Sequence, residues 1–123
     1  MSVEKPHEES RMLSVGVDII EIPRIRESIR KFGSSFLCKV FTQTELDFCL
    51  SKGEPASSLA GRFAAKEAFR KAHGSPLRWK DVEIVREESC PPRVLFQGRK
   101  HGAAVSISHS RNYAIATVII EDK

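Results

Sequence analysis

The apolar residues of this 123-residue chain change their spacing from one region to the next, and each change predicts an element. Residues 15–22, Val-Gly-Val-Asp-Ile-Ile-Glu-Ile, read as a buried strand broken by one acid, Asp18. Pro23 follows where a helix can begin, because the N–H it lacks is not needed in a first turn. Ile25, Ile29 and Phe32 then recur at helical spacing until Gly33 stops the helix. Thr42-Gln-Thr-Glu45 is a capping-box pattern that opens a short helix through Leu50. Residues 52–58 read as loop, with Ser57 or Ser58 capping a long Ala-rich helix over 59–72 that Gly74 and Pro76 close. Beyond that the period falls to two. Residues 81–86 and 93–97 predict strands either side of a turn with Pro91 and Pro92. Residues 105–108 and 113–120 predict a closing hairpin that turns at Arg111 and Asn112. One strand, then helices, then adjacent strands predicts an α+β fold, a mostly antiparallel sheet with a long central helix and shorter helices.

Composition narrows this to a single domain over 13–123, behind a polar, acidic stretch at 1–12 that reads as a flexible tail and not as a secretory leader. With 41% hydrophobic and 29% charged residues, the chain resembles an ordinary soluble protein, and no apolar run approaches membrane-spanning length. Cys38, Cys49 and Cys90 are scattered, without metal spacing, which predicts free thiols and a reduced, cytoplasmic setting. A net charge of +4 leans towards an acidic partner: nucleic acid, anionic lipid, a polyphosphate ligand or an acidic protein. One Trp and one Tyr make no base-stacking platform.

Three polar residues stand where the pattern wants apolar ones. Asp18 interrupts the Val/Ile strand; the plainer reading is an acid that bonds backbone or pairs with an Arg. Glu67 sits at roughly 80° around the long helix when Leu59 is taken as zero, between Phe63 and Ala60 in the half that should face the core. A pair with Lys71 explains its spacing and leaves its apolar neighbours unexplained. His109 ends a strand between Ser108 and Ser110, small donors that suit an anion, although a strand-end His is more often structural or solvated. Arg62, Lys66, Arg70 and Lys71 crowd the same helix as Glu67, either as a solvated face or as a cradle for phosphates. Two oxygen ligands and a cluster of cations together suggest a divalent metal holding a phosphorylated substrate. Carboxylates without soft ligands favour Mg²⁺. No P-loop and no GxGxxG accompany them.

Gly16-Val-Asp-Ile-Ile-Glu-Ile22, Phe41-Thr42 with Glu45, Leu59-Ala-Gly-Arg-Phe-Ala-Ala-Lys-Glu-Ala-Phe-Arg-Lys-Ala72 and Val105-Ser-Ile-Ser-His-Ser110 occur in the order and kind that resemble the holo-acyl-carrier-protein synthases, the small bacterial 4′-phosphopantetheinyl transferases. The resemblance runs from about residue 15 to 121, and the Gly-Arg-Phe-Ala-Ala-Lys-Glu-Ala block is its most specific part. It implies transfer of 4′-phosphopantetheine from coenzyme A to a serine of apo-acyl carrier protein, releasing adenosine 3′,5′-bisphosphate, in support of fatty acid biosynthesis. It implies Asp18 and Glu67 as Mg²⁺ ligands, and Lys71 and His109 as contacts to coenzyme A, with Arg62, Lys66 and Ser108 beside them. The catalytic set is then Glu67, His109 and Lys71, with Glu67 leading Asp18 and His109 as the base that takes the serine proton. The resemblance also implies a homotrimer with the site at the subunit junction, Asp18 and Glu67 on one chain and His109 on its neighbour. Acyl carrier protein is acidic, and the family docks it on the first helix, which points to Arg24, Arg26 and Arg30. Three connections depart from the family: residues 74–77 and 98–103 are short, and 52–58 is less basic than usual. Two rivals stand beside this reading: a basic, non-catalytic module for RNA or an acidic protein, and a transferase serving secondary-metabolism carrier domains. The first leaves Asp18 and Glu67 unexplained, so neither a nucleic-acid nor a membrane partner is expected.

Overall fold

The computed structural model describes residues 12–87 and 89–121, and within them the chain opens with strand β1 (Leu13–Glu21). Four helices follow among the described residues: α1 (Ile22–Phe32), α2 (Ser34–Val40), α3 (Gln43–Leu50) and α4 (Pro55–His73). A 3-10 turn at Trp79–Asp81 leads into β2 (Val82–Val85), β3 (Arg93–Phe96) and β4 (Arg99–His101), and the chain closes with β5 (Ala104–His109) and β6 (Tyr113–Glu121). The tail expected over 1–12 lies outside the described residues, apart from exposed Met12.

The antiparallel α+β architecture agrees with the sequence, but the strands divide between two sheets. One has the order β1-β6-β5, the other β2-β3-β4, with antiparallel pairing throughout. Two elements exceed the sequence expectation. At Gly33 a positive φ of 55° turns the chain sharply, so α2 starts at once where α1 stops. At Gln97 and Gly98, φ values of 53° and 82° form a tight hairpin that adds the short edge strand β4. The long helix also begins earlier than expected: Pro55 occupies its first turn, so Ser57 and Ser58 lie inside the helix and cap nothing.

Alanine governs how α4 packs. Ala64, Ala65, Ala68 and Ala72 are buried with Ala116 and Val118 of β6, and side chains this small let helix and sheet approach closely. Gly16 is the tightest point, since a Cβ there would lie 1.8 Å from the Ala68 carbonyl oxygen. A second cluster, including Ile22, Ile25, Phe41, Leu46 and Leu59, holds the shorter helices against the first half of α4.

β1 is therefore not buried on both sides. Ser14, Gly16, Asp18 and Ile20 turn inward, while Leu13, Val15, Val17 and Ile19 remain 47–62% exposed on the outer face. Ile115 and Ile119 of β6 join them there.

Candidate active site

Helix α4 carries most of the polar residues singled out above, and each flank of it meets a different strand. Asp18 projects from the inner face of β1, with a side chain only 19% exposed. The Lys71 ammonium lies 3.2 Å from Asp18 Oδ1 and donates to the Val17 carbonyl at 2.9 Å. Glu67 is one helical turn before Lys71 and therefore on the same flank of α4. Its carboxylate is 26% exposed and lies 3.3 Å from Arg70 Nη1. The Arg70 guanidinium in turn stands 5.0 Å from the ring of Trp79, which stacks on Phe63 with centroids 5.0 Å apart. Arg70, Lys71 and His73 occupy the last turn of α4, where cations complement the helix dipole.

On the opposite flank, about 180° around the helix from Lys71, Arg62 opens onto a cleft of about 400 Å³. His109 at the end of β5 lines this cleft, together with Arg86, Lys52, Ser57 and Ser58. Arg62 is 4% exposed and lies 4.5 Å above the Phe48 ring. Its Nη1 donates to Ser58 Oγ at 3.4 Å, while Nε and Nη2 are buried without a hydrogen-bond partner among the described residues. Burial lowers the pKa of this guanidinium, and the charge of Arg86 lowers it further. Buried donors left unpaired beside a basic cleft are a strong local demand for an anion. Cys49 borders the same region: burial raises its thiol pKa, and the Ser58 hydroxyl donates to its Sγ at 3.2 Å.

The predicted residues thus fall into two groups in one chain. Asp18 and Lys71 meet at the β1 edge of the sheet, with Glu67 one helical turn before Lys71; Arg62 and His109 line one cleft at the β5 edge; α4 runs between them. Ser108 belongs to neither, because its neighbour position on β5 turns it to the outer face opposite Ile115.

Lys66 corrects the sequence expectation. Placed there among the phosphate-binding cations, it is instead wholly buried. Its ammonium sits 2.8 Å from Glu45 Oε1 and donates to the carbonyls of Val82 at 2.6 Å and Trp79 at 3.1 Å, which uses all its donors. Burial lowers its pKa and Glu45 opposes that shift. Glu45 completes the capping box read from the sequence by accepting the Thr42 N–H at 2.9 Å, and its Oε2 accepts the Ile84 N–H at 2.7 Å. This interior pair ties α3, α4 and β2 together.

Of the expected docking arginines on α1, Arg26 pairs with Glu54 at 2.8 Å and Arg30 with Glu27. Arg24 lines a second cleft of about 320 Å³ with Ile19, Ile20, Glu21 and Tyr113. Arg86, Lys52 and Trp79 were not among the predicted residues. Each sits in an ordinary polar or loop context, and only folding brings them beside Arg62 or Arg70.

With this geometry in place, comparison with known proteins gives a consistent result. A family model for the 4′-phosphopantetheinyl transferase superfamily matches residues 14–118. The chain is 40% identical over 124 residues to a holo-[acyl-carrier-protein] synthase of Koribacter versatilis, covering 90% of this chain and 99% of that protein. It is 45% identical over 119 residues to one of Chlamydia trachomatis serovar D, covering 89% and 100%. Among solved structures, a holo-(acyl-carrier-protein) synthase from Bacillus anthracis in complex with CoA (3′,5′-ADP) superposes with a TM-score of 0.80 at 32% identity, over 93% of this chain and 100% of that one.

Proposed function

The chain belongs to the 4′-phosphopantetheinyl transferase superfamily, and from that premise we propose that it is a holo-[acyl-carrier-protein] synthase. It transfers 4′-phosphopantetheine from coenzyme A to a serine of apo-acyl carrier protein, releasing adenosine 3′,5′-bisphosphate, a step that supports fatty acid biosynthesis. The observation that carries the reading is the pairing of Asp18 with Lys71, one helical turn from Glu67.

Asp18 and Glu67 are the proposed Mg²⁺ ligands. The donor set fits a hard cation: two carboxylates, with no cluster of three or more His, Cys, Asp or Glu among the described residues to complete a closed site. Such a cation takes the rest of its shell from water and phosphate oxygens. When bound, Mg²⁺ supplies Lewis-acid stabilisation of charge on the pyrophosphate. The remaining work falls to the chain. Lys71 and Arg62 bind anionic oxygens of coenzyme A, Arg62 lining a basic cleft with its Nε and Nη2 unpaired among the described residues. His109 contacts the same ligand from the end of β5, and Glu67 accepts the serine proton.

Acyl carrier protein docks at α1, where Arg24 borders a partly apolar cleft and makes no ion pair among the described residues. Arg26 and Arg30 add to the attraction and mainly raise the rate of encounter. The active form is a homotrimer. The exposed apolar face of the β1-β6-β5 sheet supports this, being far more hydrophobic than a solvated sheet face. The two groups of residues on opposite sheet edges then complete one another across a subunit junction. No helix among the described residues is long and apolar enough to cross a membrane, and a cytoplasmic location goes with the substrates.

Incubation of the purified chain with apo-acyl carrier protein, coenzyme A and Mg²⁺ tests this by mass spectrometry. The expected result is addition of one phosphopantetheine arm to the carrier protein, abolished in Asp18→Asn and Glu67→Gln. Absence of transfer by the natural chain sinks the reading.

A further inference from the structure

We propose that Arg70 and Lys71 are built-in counter-ions of the two metal-ligand carboxylates, displaced when a divalent cation and the coenzyme A pyrophosphate enter together, so that metal and nucleotide bind cooperatively. The inference rests on the transferase reading above.

Each proposed ligand already holds a cation from the last turn of α4: Glu67 pairs with Arg70 at 3.3 Å, and Asp18 with Lys71 at 3.2 Å. Two negative and two positive charges leave the cluster neutral. A divalent ion arriving alone must break both pairs and then share a small volume with two stranded cations. That repulsion opposes metal binding. When the pyrophosphate arrives with the metal, its anionic oxygens receive the displaced guanidinium and ammonium, for which they are good partners.

The pairs are loose enough to exchange. The side chains are 37% and 26% exposed for Arg70 and Glu67, and 54% and 19% for Lys71 and Asp18. Ion pairs so open to water are weak. Lys66 and Glu45 supply the contrast on the same helix, being 1% and 0% exposed and saturated with further hydrogen bonds. Arg70 also has a resting place. Its guanidinium carbon stands 5.0 Å from the centroid of the Trp79 ring, a cation–π contact that supports the head group when it changes partner. By linkage, whatever factor coenzyme A adds to metal affinity, the metal must add to coenzyme A affinity.

Calorimetric titration of Mg²⁺ into the purified chain, with and without saturating coenzyme A, measures the coupling. Coenzyme A is expected to tighten Mg²⁺ by about tenfold or more. Arg70→Met should tighten Mg²⁺ in the nucleotide-free protein and shrink the coupling, and Arg70→Lys should restore most of it. Trp79 is the chain's single tryptophan, so its emission should change fully only when both ligands are present, and less in Arg70→Met. Equal Mg²⁺ affinity with and without coenzyme A overturns the proposal, as does an Arg70→Met protein with unaltered metal affinity and coupling. A chain that transfers phosphopantetheine but lacks coupling defeats this inference alone. One that neither binds coenzyme A nor transfers defeats the transferase reading and this one with it.

Discussion

At the scale of single residues, the buried pair of Glu45 and Lys66 makes the sharpest stability prediction. Glu45→Gln leaves the Lys66 ammonium in the interior with its carbonyl partners but without a counter-charge. Breaking a buried pair from one side costs about 3–5 kcal/mol, so the urea midpoint should fall steeply. Replacing both, as Glu45→Leu with Lys66→Met, removes two charges from the interior and should recover much of that loss; a double variant as unstable as the single would show that the hydrogen bonds to Thr42, Ile84, Trp79 and Val82 matter more than the charge. The pair also marks the limit of what residue types reveal. Asp18 and Glu67 stand out in the sequence as candidates because each sits among apolar neighbours, where a carboxylate demands compensation. Lys66 does not, because three other basic residues share its helix and a buried lysine looks like a solvated one until its partner, 21 positions earlier in the chain, is folded against it.

At the scale of elements, close approach of α4 to β1 depends on Gly16. An alanine there would place its Cβ 1.8 Å from the Ala68 carbonyl oxygen, against backbone that cannot rotate away. Gly16→Ala should therefore separate helix and strand and disrupt the Asp18–Lys71 contact, costing at least the roughly 1–3 kcal/mol typical of overpacking. A Gly16→Ala protein with unchanged thermal stability and activity would refute the packing argument. The contact of α4 with the second sheet makes a pH prediction. His101 of β4 packs edge-on to Phe69 at 5.0 Å, and its Nδ1 accepts the Ala103 N–H at 3.0 Å. Protonating Nδ1 destroys that bond. Burial lowers the His101 pKa, and nearby His73 lowers it further. An imidazole with a folded pKa below its unfolded value takes up a proton on unfolding, so acid favours the unfolded chain. Its contribution is complete above the ordinary value of 6.5 and is lost as pH falls from there through the folded pKa. The melting temperature should decline below about pH 6.5, and His101→Gln should flatten that decline. The strands and helices with clear periods were legible in advance. The hairpin that makes β4 was not, since Arg99, Lys100 and His101 carry no apolar alternation and pair only because β3 offers an edge.

At the scale of the whole molecule, what the sequence could not express is that an apolar strand position can face outward. Val15, Val17 and Ile19 looked like core and are instead exposed, beside Ile115 and Ile119. Such a face suits a heterologous ring, in which each subunit offers one surface to the neighbour on its left and another to the neighbour on its right. The division of the site residues between the two sheet edges then has a measurable consequence. If the chain assembles as the proposed trimer and Asp18 and Glu67 of one subunit work with Arg62 and His109 of the next, an Asp18→Asn chain and a His109→Ala chain each form inactive trimers, provided both substitutions abolish transfer. Mixed and re-formed, any trimer containing both has one junction where an intact Asp18 faces an intact His109. At equal amounts about three quarters of random trimers are mixed, and each recovers one site in three, so activity should return to about one quarter of the natural enzyme. Sedimentation of the mixture checks that the trimer has re-formed, and Ile19→Glu, which places charge on the apolar face, should prevent both assembly and recovery. A site confined to a single subunit gives no recovery at any mixing ratio, because every chain in the mixture then carries its own defect.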